Sequence, residues 1–159
     1  MRGLDGKTAI VAGGATLIGQ SVAETLVGYG CHVVIADINV ADGEAAAKKL
    51  GGKARFIRCD LTSDADIAEL VKATVEATGR LDYLVNVACT YLDNGADTTR
   101  ADWLKAFDVN VVGSVMLMQA ARPHLKKTRA PSSISVRSPR AWRRPAAGSI
   151  RCRRPRSCN

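Results

Sequence analysis

Short runs of apolar or β-branched residues alternate along the chain with longer segments in which apolar residues recur at helical spacing. The short runs predict strands at residues 8–12, 32–37, 55–59 and 83–87, and the segments between them predict helices at residues 18–29, 40–50 and 64–78. A longer helix is predicted to begin after Thr98 or Thr99 and to continue towards Arg122 or Pro123. Strands that alternate with helices in this way are typical of an α/β fold with a parallel sheet.

The chain changes character near Arg129. Residues 1–128 carry 14 basic and 15 acidic side chains, whereas residues 129–159 carry nine arginines, no lysine and no acidic residue. The formal net charge of +8 therefore arises from the last segment. We expect one globular domain at residues 1–128, followed at residues 129–159 by a disordered basic tail rich in Arg, Pro and Ser.

The five cysteines include no Cys-x-x-Cys pair, and no histidine lies at metal-ligand spacing. The sequence therefore predicts neither a disulfide framework nor a metal site, and favours buried thiols in a reducing compartment. No apolar stretch approaches the roughly 18 residues needed to span a membrane, and no secretory signal region follows the first residues. We expect a cytoplasmic protein without a membrane partner.

A glycine-rich turn, Ala-Gly-Gly-Ala-Thr-Leu-Ile-Gly at residues 12–19, links the first predicted strand to the first predicted helix. Glycine there lets the backbone approach the pyrophosphate of a dinucleotide, and the helix start offers free N–H groups. Asp37 ends the second strand, where a carboxylate accepts hydrogen bonds from the adenosine ribose and repels a 2′-phosphate. These residues predict a Rossmann-like, doubly wound sheet that binds NAD in preference to NADP. A packing turn and a solvated strand-end acid are the alternative.

Several motifs, in this order, resemble those of the short-chain dehydrogenase/reductase family over residues 4–128. Residues 12–19 are similar to the family's Thr-Gly-x-x-x-Gly-x-Gly turn, residues 60–61 to its adenine-contacting pair, and residues 86–89 to its Asn-Asn-Ala-Gly motif. Asn110 falls at the family's helix asparagine, a catalytic residue that helps to hold a proton relay. The resemblance implies a cofactor site formed by Gly13, Thr16, Ile18, Gly19, Asp37, Ile38, Asp60, Leu61, Asn86 and Ala88.

Some positions depart from the family pattern. Leu17 replaces the second glycine of the turn, where its side chain is expected to weaken cofactor affinity. Val87 and Cys89 replace an amide and a glycine in the fourth-strand motif. For Asp60 and Asn110 the alternative interpretations are a helix-capping acid and a buried amide that bonds to the backbone.

The serine and the Tyr-x-x-x-Lys pair that carry the family's chemistry have no counterpart after the long predicted helix. The tyrosines of the chain are Tyr29, Tyr83 and Tyr91, and no lysine follows Lys127. In the family, the tyrosine hydroxyl acts as general acid or base on the substrate oxygen. We therefore expect a sheet truncated after the fourth strand and its following helix, in a chain that is inactive as written.

A shift of reading frame accounts for the missing segment. When the last base of each codon from Arg129 onward is joined to the first two bases of the next, permitted third bases yield Gly-Ala-Ile-Val-Asn-Phe-Gly-Ser-Ile-Ser and, further on, Tyr-Pro-Val-Pro-Lys. These match the family's fifth strand, serine and Tyr-x-x-x-Lys pair at the expected separation. The hypothesis is one deleted base upstream of about Arg129, and a genuine basic tail is the alternative.

The resemblance implies an NAD-dependent oxidoreductase of alcohols or carbonyls, whose small substrate would be bound only by a full-length form. The alternatives are a non-catalytic NAD-binding module and a polyanion-binding protein that uses the basic tail. The tail has one tryptophan and no amphipathic period, so nucleic acid is the less favoured partner. The family implies a homo-oligomer, and an uncovered fourth strand predicts aggregation or poor folding.

Overall fold

The computed structural model describes residues 3–92, 94–128 and 134–135. Its elements are β1 Thr8–Ala12, α1 Leu17–Gly28, β2 His32–Asp37, α2 Val40–Leu50, β3 Ala54–Arg58, α3 Asp64–Thr78, β4 Tyr83–Asn86, α4 Arg100–Phe107, α5 Gly113–Lys127 and β5 Ile134–Ser135. A π-helical turn, Asp108–Val112, joins α4 to α5, and short 3₁₀ turns lie at Gly51–Lys53 and Gly95–Asp97.

The strands form one parallel sheet in the order β3-β2-β1-β4-β5. Thr8 lies opposite His32 at the amino end of β1, and Ala12 lies opposite both Ala36 and Asn86 at its carboxyl end. The chain first builds outward from β1 to β3 and then crosses back to β4 on the other side of β1. This reversal confirms the Rossmann-like, doubly wound α/β sheet, and it opens a crevice between the carboxyl ends of β1 and β4.

The sequence predicts that the sheet ends after its fourth strand. The structure corrects this prediction, because a fifth strand is present. β5 pairs in parallel with β4, with Val85 opposite Ile134 and Asn86 opposite Ser135. An open strand edge presents unpaired N–H and C=O groups, which favour pairing with an extended segment that follows. β4 is therefore covered over its last two residues. The remainder of the predicted basic tail, residues 129–133 and 136–159, lies outside the described residues.

The long helix that the sequence predicts is interrupted. It begins at Arg100 with Thr99 as its N-cap, because the Thr99 hydroxyl accepts a hydrogen bond from the Asp102 N–H and the Asp102 carboxylate bonds back. The π-helical turn then separates α4 from α5. Such turns occur mostly inside α-helices and often at functional sites. The apolar spacing continues through the turn, so the sequence pattern alone predicts one uninterrupted helix.

The end of α5 also differs from the prediction, because the helix continues through Pro123 to Lys127. A proline inside a helix removes one backbone hydrogen bond and is unfavourable by about 3 kcal/mol. Packing of Leu125 against the core helps to offset this penalty. The Thr128 hydroxyl then lies within 2.9 Å of the Leu81 carbonyl and donates to it, which ties the end of α5 to the start of β4.

Two buried layers flank the sheet. The central strands are covered on both faces, which explains their nearly continuous apolar sequences. The layer shared with α3 and α5 contains Ile10, Val34, Leu70, Leu84 and Leu117. The layer on the face of α1 and α2 contains Val11, Val33, Ile35, Ala23 and Ala46.

Asp82 anchors the amino ends of β1 and β4. It is 3% exposed, and its Oδ2 accepts hydrogen bonds from the Thr8 N–H at 3.0 Å and from Arg80 Nε at 2.7 Å. Arg80 Nη2 lies 2.6 Å from Oδ1, and Lys7 Nζ lies 3.5 Å from the same oxygen. Burial raises the pKa of Asp82, but the hydrogen bonds and the two positive charges outweigh it, so the pKa is lowered.

Replacement of Asp82 by Asn is expected to lower the free energy of unfolding near neutral pH by about 2 kcal/mol, because it removes charge-assisted hydrogen bonds in a buried position. A lowered pKa means that the contribution is present above the unfolded value of about 3.9 and is lost as the pH falls through the folded value. The difference between the wild type and Asp82→Asn in denaturant titrations should therefore be constant above about pH 5 and shrink below about pH 4.

The exposed Asp97 provides the control for this comparison. Asp97→Asn should leave the free energy of unfolding and its dependence on pH nearly unchanged. A difference between the wild type and Asp82→Asn that is as large at about pH 2 as at neutral pH would contradict the assignment.

Candidate functional site

A cavity of about 350 Å³ opens at the carboxyl edge of the sheet, where the strand order reverses. Its walls come from the ends of β1 and β2, from the segments that follow β3 and β4, and from α4 and the π-helical turn. Seven of the predicted site residues line it, namely Gly13, Thr16, Asp37, Ile38, Asp60, Leu61 and Ala88. The crevice outside the carboxyl ends of the strands is where open α/β sheets bind ligands.

The glycine turn is packed too closely for side chains at Gly13, Gly14 and Gly19. Gly13 has φ +75°, and a Cβ there would meet the Ala88 N and lie 2.6 Å from the Ala88 Cα. A Cβ at Gly19 would meet the carbonyl oxygen of Gly13. The Gly13 N–H donates to the Ala36 carbonyl at 2.8 Å. The turn therefore rests on β2, on the loop after β4 and on α1, and only glycine fits at these contacts.

Thr16 closes the turn and starts α1. Its hydroxyl donates to the Gly13 carbonyl at 2.7 Å and accepts from the Gly19 N–H at 3.2 Å. Ile18 and Leu17 lie in the first turn of the helix, where backbone N–H groups have no intrahelical acceptor. Leu17, which replaces a family glycine, is 82% exposed and does not line the cavity. The free N–H groups and the positive end of α1 suit an anionic group.

Asp37 joins the end of β2 to the glycine turn. Its Oδ2 accepts from the Ala15 N–H at 3.0 Å, and its Oδ1 accepts from the Asn39 N–H at 3.0 Å. Each carboxylate oxygen has a further lone pair, so these bonds leave acceptor capacity towards the cavity. The neighbouring Ile38 is exposed and forms part of the same wall. The carboxylate is thus fixed by two backbone donors on the edge of the cavity.

Asp60 and Leu61 follow β3, and Leu61 is buried. The Asp60 Oδ1 accepts from the Thr62 N–H at 2.9 Å and from the Thr62 hydroxyl at 2.8 Å. Ser63 is the N-cap of α3, with its hydroxyl accepting from the Asp66 N–H. The interpretation of Asp60 as the helix-capping acid is therefore wrong, because Ser63 already occupies that position.

Asp66 supports this loop from the first turn of α3. Its Oδ2 accepts from the Asp60 N–H at 3.1 Å and from Arg58 Nη1 at 2.8 Å. The backbone donor of Asp60 lowers the pKa of Asp66, and the Ser63 hydroxyl and the Arg58 guanidinium act in the same direction. Asp66 therefore stays ionised and holds the Asp60 segment in place.

Asn86 and Asn110 do not line the cavity, but both hold segments that do. The Asn86 side chain accepts from the Ala88 N–H at 3.0 Å and donates to the Ser114 hydroxyl at 2.7 Å. Asn110 Oδ1 accepts from the Thr90 N–H at 2.8 Å, and its Nδ2 donates to the Thr90 carbonyl at 3.0 Å. The amide of Asn110, half-buried in the π-helical turn, bonds to backbone as the alternative interpretation states.

Eight of the lining residues are outside the predicted set, and four of these, namely Thr62, Thr90, Lys105 and Val109, also lie outside the predicted strands and the motifs. Lys105 and Val109 are four positions apart on consecutive helical turns, and Thr62 and Thr90 follow predicted positions by one or two residues. Val109 directly precedes the predicted residue Asn110, and this is the one sequence signal that would have suggested that Lys105 and Val109 line the cavity. The cavity therefore includes a cation, Lys105, which no sequence motif indicates.

Cys59 lies in the floor of the cavity and is 3% exposed. Burial raises the pKa of its thiol to about 12, and the charges of Asp66 and Asp60 add to this effect. The thiol is therefore protonated at neutral pH and is a poor nucleophile.

Two further observations apply to residues 3–92, 94–128 and 134–135. No group of three or more His, Cys, Asp or Glu side chains is arranged there to hold a metal ion. No helix within the same residues has the length and apolar character needed to cross a membrane.

The strand order, the tight glycine turn and the fixed carboxylate at the end of β2 define an α/β domain of the Rossmann class. The chain belongs to the short-chain dehydrogenase family, since the model of that family, described as short chain dehydrogenase, matches residues 7–149. The family is one of oxidoreductases, as the resemblance of residues 12–19 and 86–89 implies.

Relatives of known activity are similar over most of the chain. It is 38% identical to the 2,5-dichloro-2,5-cyclohexadiene-1,4-diol dehydrogenase of Sphingobium indicum over 121 residues, which cover 75% of this chain and 48% of that protein. It is 36% identical to the sorbitol dehydrogenase of Cereibacter sphaeroides over 151 residues, which cover 94% and 59%. The chain thus spans about half the length of the curated relatives it matches.

A solved structure shows the same fold. The 3-ketoacyl-(acyl-carrier-protein) reductase of Brucella melitensis, crystallised with NADH, superposes with a TM-score of 0.75 at 28% sequence identity. The superposition covers 79% of this chain and 53% of that chain.

Substitution of Gly13 by Ala is expected to lower the free energy of unfolding by about 3 kcal/mol, because a left-handed residue with a Cβ would press on the Ala88 backbone. Gly28, at the end of α1, has open space where a Cβ would lie, so Gly28→Ala should raise the stability by about 0.5 kcal/mol. Denaturant unfolding of both variants tests the contrast, and wild-type stability in Gly13→Ala would contradict the close packing.

Proposed function

We propose that residues 1–128 form the NAD-binding part of a short-chain dehydrogenase/reductase that acts on a small alcohol or carbonyl compound. The observation that carries the proposal is the carboxylate of Asp37, which is held by backbone N–H groups at the edge of the cavity that Gly13 also lines. A carboxylate in this position accepts hydrogen bonds from ribose hydroxyls and repels a 2′-phosphate. NAD is therefore favoured over NADP.

The residues of the cavity fit a dinucleotide. Gly13, Thr16, Ile18 and Gly19 would hold the pyrophosphate, because the first backbone N–H groups of α1 have no intrahelical acceptor and the start of a helix favours an anion. Asp37 would hold the adenosine ribose. The adenine would lie between apolar side chains and near an acid. The nicotinamide end would lie near the loop that follows β4. The residues for these two ends are Ile38, Asp60, Leu61, Asn86 and Ala88.

NAD, when bound, supplies the hydride acceptor for oxidation of an alcohol. The structure of an NADH complex of a 28% identical reductase supports a nicotinamide cofactor for this chain as well. Asn110 holds the backbone of Thr90 at the cavity wall, so its role here is that of a positioning residue in the β4 loop. The proton donor on the substrate oxygen would come from a segment that follows α5.

We further propose that this chain does not transfer hydride as written. No Tyr-x-x-x-Lys pair occurs in it, although the family match continues to residue 149 and β5 lies where the next strand of the sheet is expected. With permitted third bases, a shifted frame after Arg129 is compatible with a strand at the same codons, followed by serine, tyrosine and lysine. A disrupted reading frame accounts for the basic composition and for the missing catalytic groups together.

Binding of NAD tests the cofactor assignment. NAD should raise the melting temperature of the full chain. Asp37→Asn should raise the Kd for NAD about tenfold and reduce the preference for NAD over NADP. Glu44→Gln, an acid-to-amide change at an exposed position of α2, should have no effect. Failure of NAD to bind the wild type, or an unchanged Kd in Asp37→Asn, would overturn the proposal.

The nucleotide sequence of the gene across codons 120–159 and beyond tests the proposal that this chain does not transfer hydride. If the alternate frame is open, the repaired protein should oxidise alcohols with NAD, and the chain as written should be slower by at least about 10²-fold, since it lacks the general acid. Turnover by the chain as written would refute this assignment. A closed alternate frame would instead leave the arginine-rich segment genuine, and nucleic-acid binding would become the hypothesis to test.

A further inference from the structure

The loop that follows β4 forms one wall of the cofactor cavity, at the end proposed for nicotinamide. Ala88, Cys89 and Thr90 all line the cavity. The Asn86 side chain accepts from the Ala88 N–H, and the Asn110 side chain bonds to both the N–H and the carbonyl of Thr90. The backbone of this loop is therefore held by two asparagines, one in β4 and one in the π-helical turn.

Ser114 connects the two asparagines. Its hydroxyl accepts from Asn86 Nδ2 at 2.7 Å and donates to the Asn110 carbonyl at 3.1 Å. Ser114 is half-buried and does not line the cavity, so it acts on a ligand only through these two neighbours. The serine thus closes a ring of interactions that runs from β4 through the loop to the π-helical turn and back to β4.

The start of α5 is a firm support for this hydroxyl. Gly113, directly before Ser114, is buried, and a Cβ on it would meet the carbonyl oxygen of Leu61. Leu117 and Ala121, one and two helical turns further along α5, are fully buried in the core. Because close-packed interiors resist displacement, the packing of α5 fixes the position of Ser114 relative to the sheet.

The acceptor that Ser114 provides matters because Asn86 is only 6% exposed. Without the hydroxyl, a buried amide N–H of Asn86 would lose its hydrogen bond, which is unfavourable. The amide would then turn towards another acceptor and release the Ala88 N–H. Since Ala88 is the residue against which Gly13 packs, the loop would lose its fixed distance from the glycine turn.

We propose that Ser114 is a positioning residue of the cofactor site, whose hydroxyl holds the loop after β4 where it can bind the nicotinamide half of NAD. The inference rests on the proposed function and extends the site to a residue that touches no ligand. The adenosine half would lie against Asp37 and Asp60, which the ring of interactions does not include. Loss of the hydroxyl therefore affects the nicotinamide half selectively.

Amide hydrogen exchange of the full chain without cofactor tests the ring itself. In Ser114→Ala the Ala88 N–H should exchange about tenfold faster, the change expected for loss of one hydrogen bond. The Asp66 N–H, which also bonds to a side-chain oxygen, should be unchanged and shows that the variant is folded. Ser114→Thr keeps the hydroxyl and should restore the wild-type rate. Ser114→Cys, with a weaker hydrogen-bonding group, should lie between the two.

Calorimetric titration with NAD, and with ADP as a ligand that lacks the nicotinamide half, tests the consequence for binding. Ser114→Ala should raise the Kd for NAD about fivefold and leave the Kd for ADP unchanged. Ser114→Thr should bind both ligands as the wild type does. Thr25→Ala is the matched control, because it removes an exposed helix hydroxyl that also bonds to the carbonyl four residues earlier, and it should change neither Kd.

Three results would overturn the inference and leave the proposed function intact. They are an unchanged exchange rate of the Ala88 N–H in Ser114→Ala, an unchanged Kd for NAD in that variant, and equal losses of affinity for NAD and ADP. Equal losses would mean that the serine supports the fold and not the nicotinamide end. A wild type that binds neither NAD nor ADP would instead overturn the proposed function and, with it, the role of Ser114 in cofactor binding.

Discussion

The contact between the backbone of the glycine turn and the loop after β4 is the constraint on which the cofactor cavity depends. Gly13 lies so close to Ala88 that a methyl group would not fit between them, and Gly19 is equally close to Gly13. This packing places the start of α1 at the carboxyl edge of the sheet. Asp37 then bonds to the Ala15 N–H, so the acid and the turn form one rigid unit. Any cofactor specificity of the site follows from that unit.

The two edges of the sheet are stabilised by different interactions. At the carboxyl edge, carboxylates such as that of Asp37 bond to backbone N–H groups, and a chain of hydrogen bonds runs from Asn86 through Ser114 to the Asn110 carbonyl. At the amino edge, the buried Asp82 carries the connection between strands and draws two basic side chains towards it. The carboxyl edge leaves the first N–H groups of α1 free for a ligand, whereas at the amino edge the charge of Asp82 is already paired.

The sequence predicted what depends on local pattern. The strands, the helices and the N-cap at Thr99 follow from spacing and from hydrogen bonds within a few residues. The π-helical turn, the pairing of β5 and the position of Lys105 in the cavity depend on contacts between distant segments, so periodicity did not indicate them. The roles of the predicted cofactor residues stay predictions, although seven of them meet in one cavity.

The walls of the cofactor cavity come entirely from residues 12–109, the portion of the chain that is synthesised first. The strands β1, β2 and β3 are successive in the chain and adjacent in the sheet, and β4 pairs with the other side of β1. In the proposed dehydrogenase, an inherited change downstream of α5 would therefore remove the catalytic groups and spare the proposed nucleotide pocket. Such an allele would encode a protein that competes for cofactor in the cell without consuming substrate.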